Sequence, residues 1–334
     1  MAVRPFTSNP PQMTNLISPK LTIALLVFVT IMVITLTISI ALLFTIGKPT
    51  KSSTNNENQL IVTLPEPCKC GCPAISPQIT SKIVNGEAAI PNSWPWQLLL
   101  IVFTSQGIPR SYCGASLITT QHVLTAAHCV FGSSPRYIGV IARLHLFNIS
   151  SWSPRLAYMA ERIYVHESYD DVTLNDDIAV IRLRTSISLD NQVSLACIAP
   201  KDMTDQELIE GQQLIATGWG AMESVNRTRP NELQQVRLQF VPRTHSSCEP
   251  LIGSGDSTRL GQMCAGFPPK AVCFGDSGGP LVRSIVDKNG NVYWQQVGIM
   301  SGTVDCGYQT NFSDIYAYVS YYNPWILHKI SISS

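Results

Sequence analysis

From Ile83 onward, apolar residues arrive in runs too short for ordinary helices, each closed by Gly, Pro, Asn or Ser. Gln97–Phe103, Ile178–Leu183, Gln213–Thr217, Gln295–Ser301 and Ile315–Val319 are of strand length and rich in β-branched or aromatic residues. Helical periodicity is scarce until Tyr321–Lys329, where a terminal helix is expected. Strands do not alternate with helices, so the pattern argues for an all-β barrel or sandwich rather than a βαβ fold. No internal repeat occurs at solenoid spacing. The 334 residues can hold one or two domains with sizeable cores. A net charge of +1, with only 13% charged residues and no long run of one sign, gives no support to nucleic-acid or polyanion binding. No nucleic-acid partner is expected.

Ahead of this β-rich stretch, Leu21–Ile46 carries no charge, no amide side chain and no proline. As a helix it would be about 39 Å long at roughly 1.5 Å per residue, enough to cross a hydrocarbon core of about 30 Å with tilt. A cleaved signal peptide and a buried helix are the alternatives. The stretch is longer than a signal h-region and follows a polar segment, which favours a signal anchor. Positive charges do not orient it, because Arg4 and Lys20 before it balance Lys48 and Lys51 after it. The sequons at Asn148, Asn226 and Asn311 all follow the span, and so do all 10 cysteines. Disulfides persist in oxidising compartments, so the bulk of the chain is placed outside the cytosol. The expected organisation is a cytoplasmic tail over 1–20, a transmembrane signal anchor over 21–46 and an extracellular stalk or propeptide over 47–82. The expected location is the cell membrane, as a single-pass type II protein.

The stalk is rich in Ser, Thr, Asn and Pro over 47–67 and ends in Pro67-Cys68-Lys69-Cys70-Gly71-Cys72-Pro73. A metal knuckle would need a second Cys or His pair at zinc spacing nearby, which is missing, so disulfide anchoring is the better reading. Neither a metal nor a cofactor is expected.

The chemistry centres on Gly275-Asp276-Ser277-Gly278-Gly279-Pro280 and on Thr125-Ala126-Ala127-His128-Cys129. A serine hydroxyl attacks only when a base takes its proton, and that base must be held in one tautomer by an acceptor behind it. His128 supplies the base. Asp177, where a loop enters the apolar strand Ile178-Ala179-Val180, is the expected orienting acid; its neighbour Asp176 is read as solvent-facing. The glycines around Ser277 permit a tight turn that aims the N–H groups of Gly275 and Ser277 at a developing oxyanion.

Gly275–Gly279 also satisfies the G-x-S-x-G elbow of α/β-hydrolases, whose chain order is Ser, acid, His. After Ser277 only His328 remains, in the terminal segment, whereas His before Asp before Ser on a β scaffold fits. Residues 83–330 resemble a trypsin/chymotrypsin-type serine protease domain. The resemblance rests on Ile83-Val84-Asn85-Gly86, Trp94-Pro95-Trp96-Gln97, Cys113-Gly114-Ala115-Ser116-Leu117-Ile118, Thr217-Gly218-Trp219-Gly220 and the His128, Asp177 and Ser277 motifs, in that family's order. With the anchor and stalk, the chain is similar to type II transmembrane serine proteases.

The resemblance implies two six-stranded antiparallel β-barrels with a C-terminal helix and the triad in the cleft between them. It implies extracellular protein substrates, serine protease inhibitors as partners, and Ser301 supporting Asp177. It implies a zymogen: cleavage between Lys82 and Ile83, by a protease cutting after basic residues, frees an ammonium that pairs with Asp276 and orders the oxyanion hole. It implies bridges Cys113–Cys129, Cys248–Cys264 and Cys273–Cys306, with Cys197 bonded to Cys68, Cys70 or Cys72. The family's remaining bridge is absent at both ends, Leu214 and Arg283.

The specificity pocket departs from the family. Its floor position is Ala271, and its wall reads Ser301-Gly302-Thr303 where Ser-Trp-Gly is usual. Thr303 should narrow the pocket and Gly302 should open one side of the cleft. Asp314 could project a carboxylate from the opposite wall and select basic side chains; if it turns away, Ala271 and Thr303 favour small or medium apolar ones. Calcium binding is not expected, since Val130–Ala160 holds no Asp or Glu. The altered wall leaves a rival reading, a catalytically silent binding or adhesion module.

Overall fold

The computed structural model describes residues 32, 68–79, 86–147, 153–201, 203, 208–221, 228–253, 255–266, 272–273, 275–304, 306 and 311–333. All but Met32 belong to one compact unit, Leu64–Ser334. Apart from Met32, the expected anchor over 21–46 lies outside the described residues, as do the cleavage site at Lys82 and Ile83, Ala271, and the sequons at Asn148 and Asn226. Among the described residues no helix is long and apolar enough to cross a membrane.

Fourteen strands are named here in chain order. The first barrel is formed by β2 (Gln97–Phe103), β3 (Pro109–Leu117), β4 (His122–Thr125), β5 (Ile138–Ile141), β6 (Tyr158–Val165) and β7 (Ala179–Leu183). These close antiparallel in the order β2-β3-β4-β7-β6-β5. The second contains β9 (Gln213–Gly218), β10 (Gln234–Val241), β11 (Gln262–Ala265), β12 (Pro280–Val286), β13 (Val292–Gly302) and β14 (Asp314–Tyr318). They run β9-β10-β11-β14-β13-β12, with β12 pairing back onto β9. Two short strands, β1 (Glu87–Ala88) and β8 (Cys197–Ile198), add to β10 and β13. The expected pair of six-stranded barrels is therefore present.

The alternation of β2 shows how the barrels are joined. Leu98, Leu100 and Val102 face the main core, while Leu99, Ile101 and Phe103 face a second cluster with Trp94, Trp96, Ile215, Trp219 and Val282. A strand buried on both faces reads as a continuous apolar run, which explains the pattern Gln97–Phe103.

A short helix α1 (Glu249–Ile252) precedes the terminal helix α2 (Val319–Ser331), which exceeds the expected Tyr321–Lys329 by two residues at each end. Its buried face, Val319, Tyr322, Asn323 and Ile326, follows helical spacing. Ser320 donates to Pro200 O at 2.6 Å and Asn323 to Ala199 O at 2.8 Å, which docks the first turns onto the barrels.

All ten cysteines are paired. Cys113–Cys129, Cys248–Cys264 and Cys273–Cys306 form as implied. The partner of Cys197 is Cys70, and Cys68 pairs with Cys72. Residues around this bridge are bonded to the barrels too: Gly71 N–H donates to Leu195 O and receives at its carbonyl the Trp294 N–H, both at 2.7 Å. At the missing bridge, Leu214 is fully buried opposite Leu238, and the buried Arg283 donates to Gln295 Oε1 at 2.9 Å.

Candidate active site

β4 ends at Thr125, and the chain turns through a single 3₁₀ turn, Ala127–Cys129, that presents His128. Ala126 and Ala127 are small because both are fully buried, and Cys129 is bridged to Cys113 on β3. The imidazole side chain keeps 27% of its surface exposed, whereas Asp177 keeps 1%. Asp177 Oδ2 lies 2.8 Å from His128 Nδ1, and Asp177 Oδ1 accepts the His128 backbone N–H at 2.9 Å. Ser301 Oγ donates to the same Oδ2 at 2.6 Å. An ionised carboxylate only accepts, so this network assigns the proton to Nδ1 and leaves Nε2 with a free lone pair.

Asp176 does not face solvent as expected from the sequence. It takes a left-handed backbone, φ 53°, and its Oδ1 accepts the Tyr322 hydroxyl of α2 at 2.8 Å. The opposite directions of Asp176 and Asp177 follow from that backbone, which turns the chain just before β7.

Ser277 sits between β12 and the Cys273–Cys306 bridge. Its carbonyl accepts Gly114 N–H at 2.7 Å, and Gly278 N–H donates to Met300 O at 2.8 Å. Gly275 has φ +106°, a conformation closed to other residues, and the turn leaves the N–H groups of Gly275 and Ser277 without an acceptor among the described residues. His128 and Ser277 line one cleft of about 480 Å³. No hydrogen bond joins Nε2 to Ser277 Oγ among the described residues; the Nε2 edge lies 3.6 Å from Cys129 Sγ.

Beside the serine, the Asp276 carboxylate turns inward and accepts Gly220 N–H at 2.7 Å and Cys273 N–H at 3.0 Å. A Cβ at Gly218 or Gly220 would occupy the space of that carboxylate, which explains both glycines of Thr217-Gly218-Trp219-Gly220. Burial pushes the Asp276 carboxyl up, while the two N–H donors and the nearby Arg229 pull it down.

Of the expected pocket residues, Asp314 is buried and its Oδ2 accepts Val272 N–H at 3.0 Å, one residue from Ala271. Burial pushes its carboxyl up to about 7, against the pull of Val272 and Thr303, and the charge of Asp276 adds to the rise. Thr303 lines the same cleft as His128 and Ser277, and its Oγ1 accepts Cys306 N–H at 3.2 Å. At Gly302 the vacated side is filled from across the cleft: Leu174 Cδ1 lies 3.5 Å from where a Cβ would stand. Leu174, Phe131 and Tyr169 form an apolar wall that no motif announced, the last two edge to face at 5.2 Å. Asn311, the described sequon, is exposed.

A family model described as Trypsin matches residues 83–326. Chymotrypsin-C of Rattus norvegicus is 35% identical over 267 residues, covering 79% of this chain and 94% of that protein. Transmembrane protease serine 11G of Mus musculus is 35% identical over 265 residues, covering 79% of this chain but only 58% of its own length.

Proposed function

Because this chain belongs to the trypsin family of serine proteases, we propose that it is a membrane-anchored endopeptidase that hydrolyses peptide bonds of extracellular proteins after zymogen cleavage. The observation that carries the reading is the bonded series Ser301–Asp177–His128 in one cleft with Ser277. Nε2 of His128 takes the Ser277 proton as Oγ attacks the carbonyl carbon. The resulting oxyanion is held by the Gly275 and Ser277 N–H groups, and Asp177 stabilises the imidazolium. The C–N bond breaks as His128 returns the proton to the leaving amine. Water, deprotonated by the same imidazole, then hydrolyses the acyl-enzyme and restores Ser277.

Cutting after Lys82 would free the Ile83 ammonium to pair with Asp276, whose enclosed carboxylate has backbone donors but, among the described residues, no lysine or arginine bonded to it. That pairing re-forms the turn beside Ser277 and brings its Oγ into line with Nε2, since catalytic hydrogen bonds commonly tighten only in the competent state. The domain would be residues 83–330, held to the stalk by Cys70–Cys197 after the cut. The apolar Leu21–Ile46 and the transmembrane protease relative support the anchor. Asp314, facing Thr303 and the residue after Ala271, supports a preference for Lys or Arg before the cut.

The test compares peptide hydrolysis by the chain before and after cleavage at Lys82, beside Lys82→Gln. Activity that appears only on cleavage, and never in the variant, supports the zymogen. Absence of hydrolysis from the cleaved chain favours a silent module, a reading to which the missing Nε2–Oγ hydrogen bond among the described residues lends support.

A further inference from the structure

We propose that Arg229 is a specificity-determining residue that recognises a substrate carboxylate on the leaving-group side of the cut. This rests on the protease reading above. The residue before the cut is directed toward Thr303 and Asp314, so the chain after the cut must run the other way from Ser277, past Gly275. Arg229 stands there. Its Cζ lies 4.4 Å from the Tyr112 ring centroid, and Tyr112 meets Phe147 edge to face at 5.0 Å. Its Nη1 is 2.9 Å from where a Cβ on Gly275 would stand, so the guanidinium lies against the peptide proposed to bind the oxyanion.

A cation held over a ring face is positioned without using its N–H donors, and no hydrogen bond from Arg229 occurs among the described residues, so its fork is open to a carboxylate. Arg229 is exposed and makes no ion pair among the described residues. The acid whose charge acts on it is Asp276, whose oxygens already accept the Gly220 and Cys273 N–H groups. In the cleaved form the Ile83 ammonium would take up that charge as well. Partial burial against Gly275 and Tyr112 strips some water from the cation, which strengthens its attraction for an incoming anion.

The test uses the full chain cleaved at Lys82 and quenched peptides identical up to the cut, with Glu, Gln or Lys at each of the first three positions after it. Glu is expected to exceed Gln in kcat/KM by about fivefold at one of these positions, the scale of a partly screened ion pair. The gap should shrink as salt rises. Arg229→Gln should abolish the difference, and Arg229→Glu should reverse it in favour of Lys. Equal cleavage of the Glu and Gln peptides by the unmodified chain overturns this inference and leaves the protease reading standing. A loss shared by all three peptides in Arg229→Gln also overturns it, since the guanidinium would then be acting on the oxyanion turn or Asp276. Cleavage of none overturns both.

Discussion

At Asp177 one buried carboxylate serves three donors, and each is a separate lever. Replacing it with Asn keeps the shape but favours the wrong imidazole tautomer; turnover should fall by roughly 10⁴, as in other Ser-His-Asp proteases. Retained turnover would point to another acid. Ser301→Ala removes one hydrogen bond to a charged group, so kcat should fall about tenfold with KM nearly unchanged. Asp314 carries a pH dependence with a definite sign. Its carboxyl is neutral below about 7 and ionised above, with Asp276 and the buried Tyr316 hydroxyl as the neighbouring titratable groups. Only the ionised form attracts a basic side chain, so the ratio of kcat/KM for Lys over Ala substrates should rise through pH 7. The ratio cancels whatever affects both substrates alike, and Asp314→Asn should flatten it. The ionised form is also the costly one to bury, so that variant should raise the unfolding midpoint more at pH 8 than at pH 5. At this scale the motifs made His128, Asp177, Ser277 and Asp276 legible. Leu174, Phe131, Tyr169 and Arg229 were not, because their meaning comes from partners far along the chain, Gly302 and Gly275 among them.

Among the elements, strand length and composition located Gln97–Phe103 to the residue, since that strand is buried on both faces and its apolar run has no gaps. The strand ending at Gly302 begins earlier than its apolar run, at Val292, because its first three residues, exposed or half-buried, are held by pairing with β12 beside the turn that joins the two strands. The terminal helix was placed by its pattern but started late. Val319 and Ser320 follow β14 without a linker, and a helix whose first turn is bonded to Pro200 and Ala199 needs no sequence cap. Tyr322 ties this helix to Asp176, next to the proposed catalytic acid. Tyr322→Phe should cost about 1 kcal/mol of stability by denaturant unfolding, the worth of one hydrogen bond. If Asp176 also sets the direction of Asp177, kcat should fall more than that loss of folded protein explains.

On the scale of the whole molecule, the barrels hold residues drawn from distant parts of the chain in one cleft, and the bridge Cys70–Cys197 ties the segment before the domain to β8. The family resemblance implied that a stalk cysteine bonds Cys197 but not which, since spacing alone leaves Cys68, Cys70 and Cys72 equivalent. Gly71, which accepts and donates backbone bonds beside Trp294, decides it. If the chain is anchored as proposed, Cys70→Ser should release the cleaved domain from membranes without reductant, while the unaltered chain should need reductant; retention of the variant would argue for another tether.

The central claim, that Ser277 is an alcohol activated by His128 once the chain is cut, is tested most directly by mass spectrometry after exposure to a fluorophosphonate. A covalent adduct on Ser277 of the cleaved chain, much reduced before cleavage and in His128→Ala, is the predicted result. An unlabelled Ser277 in the cleaved chain, with the fold intact, would contradict it.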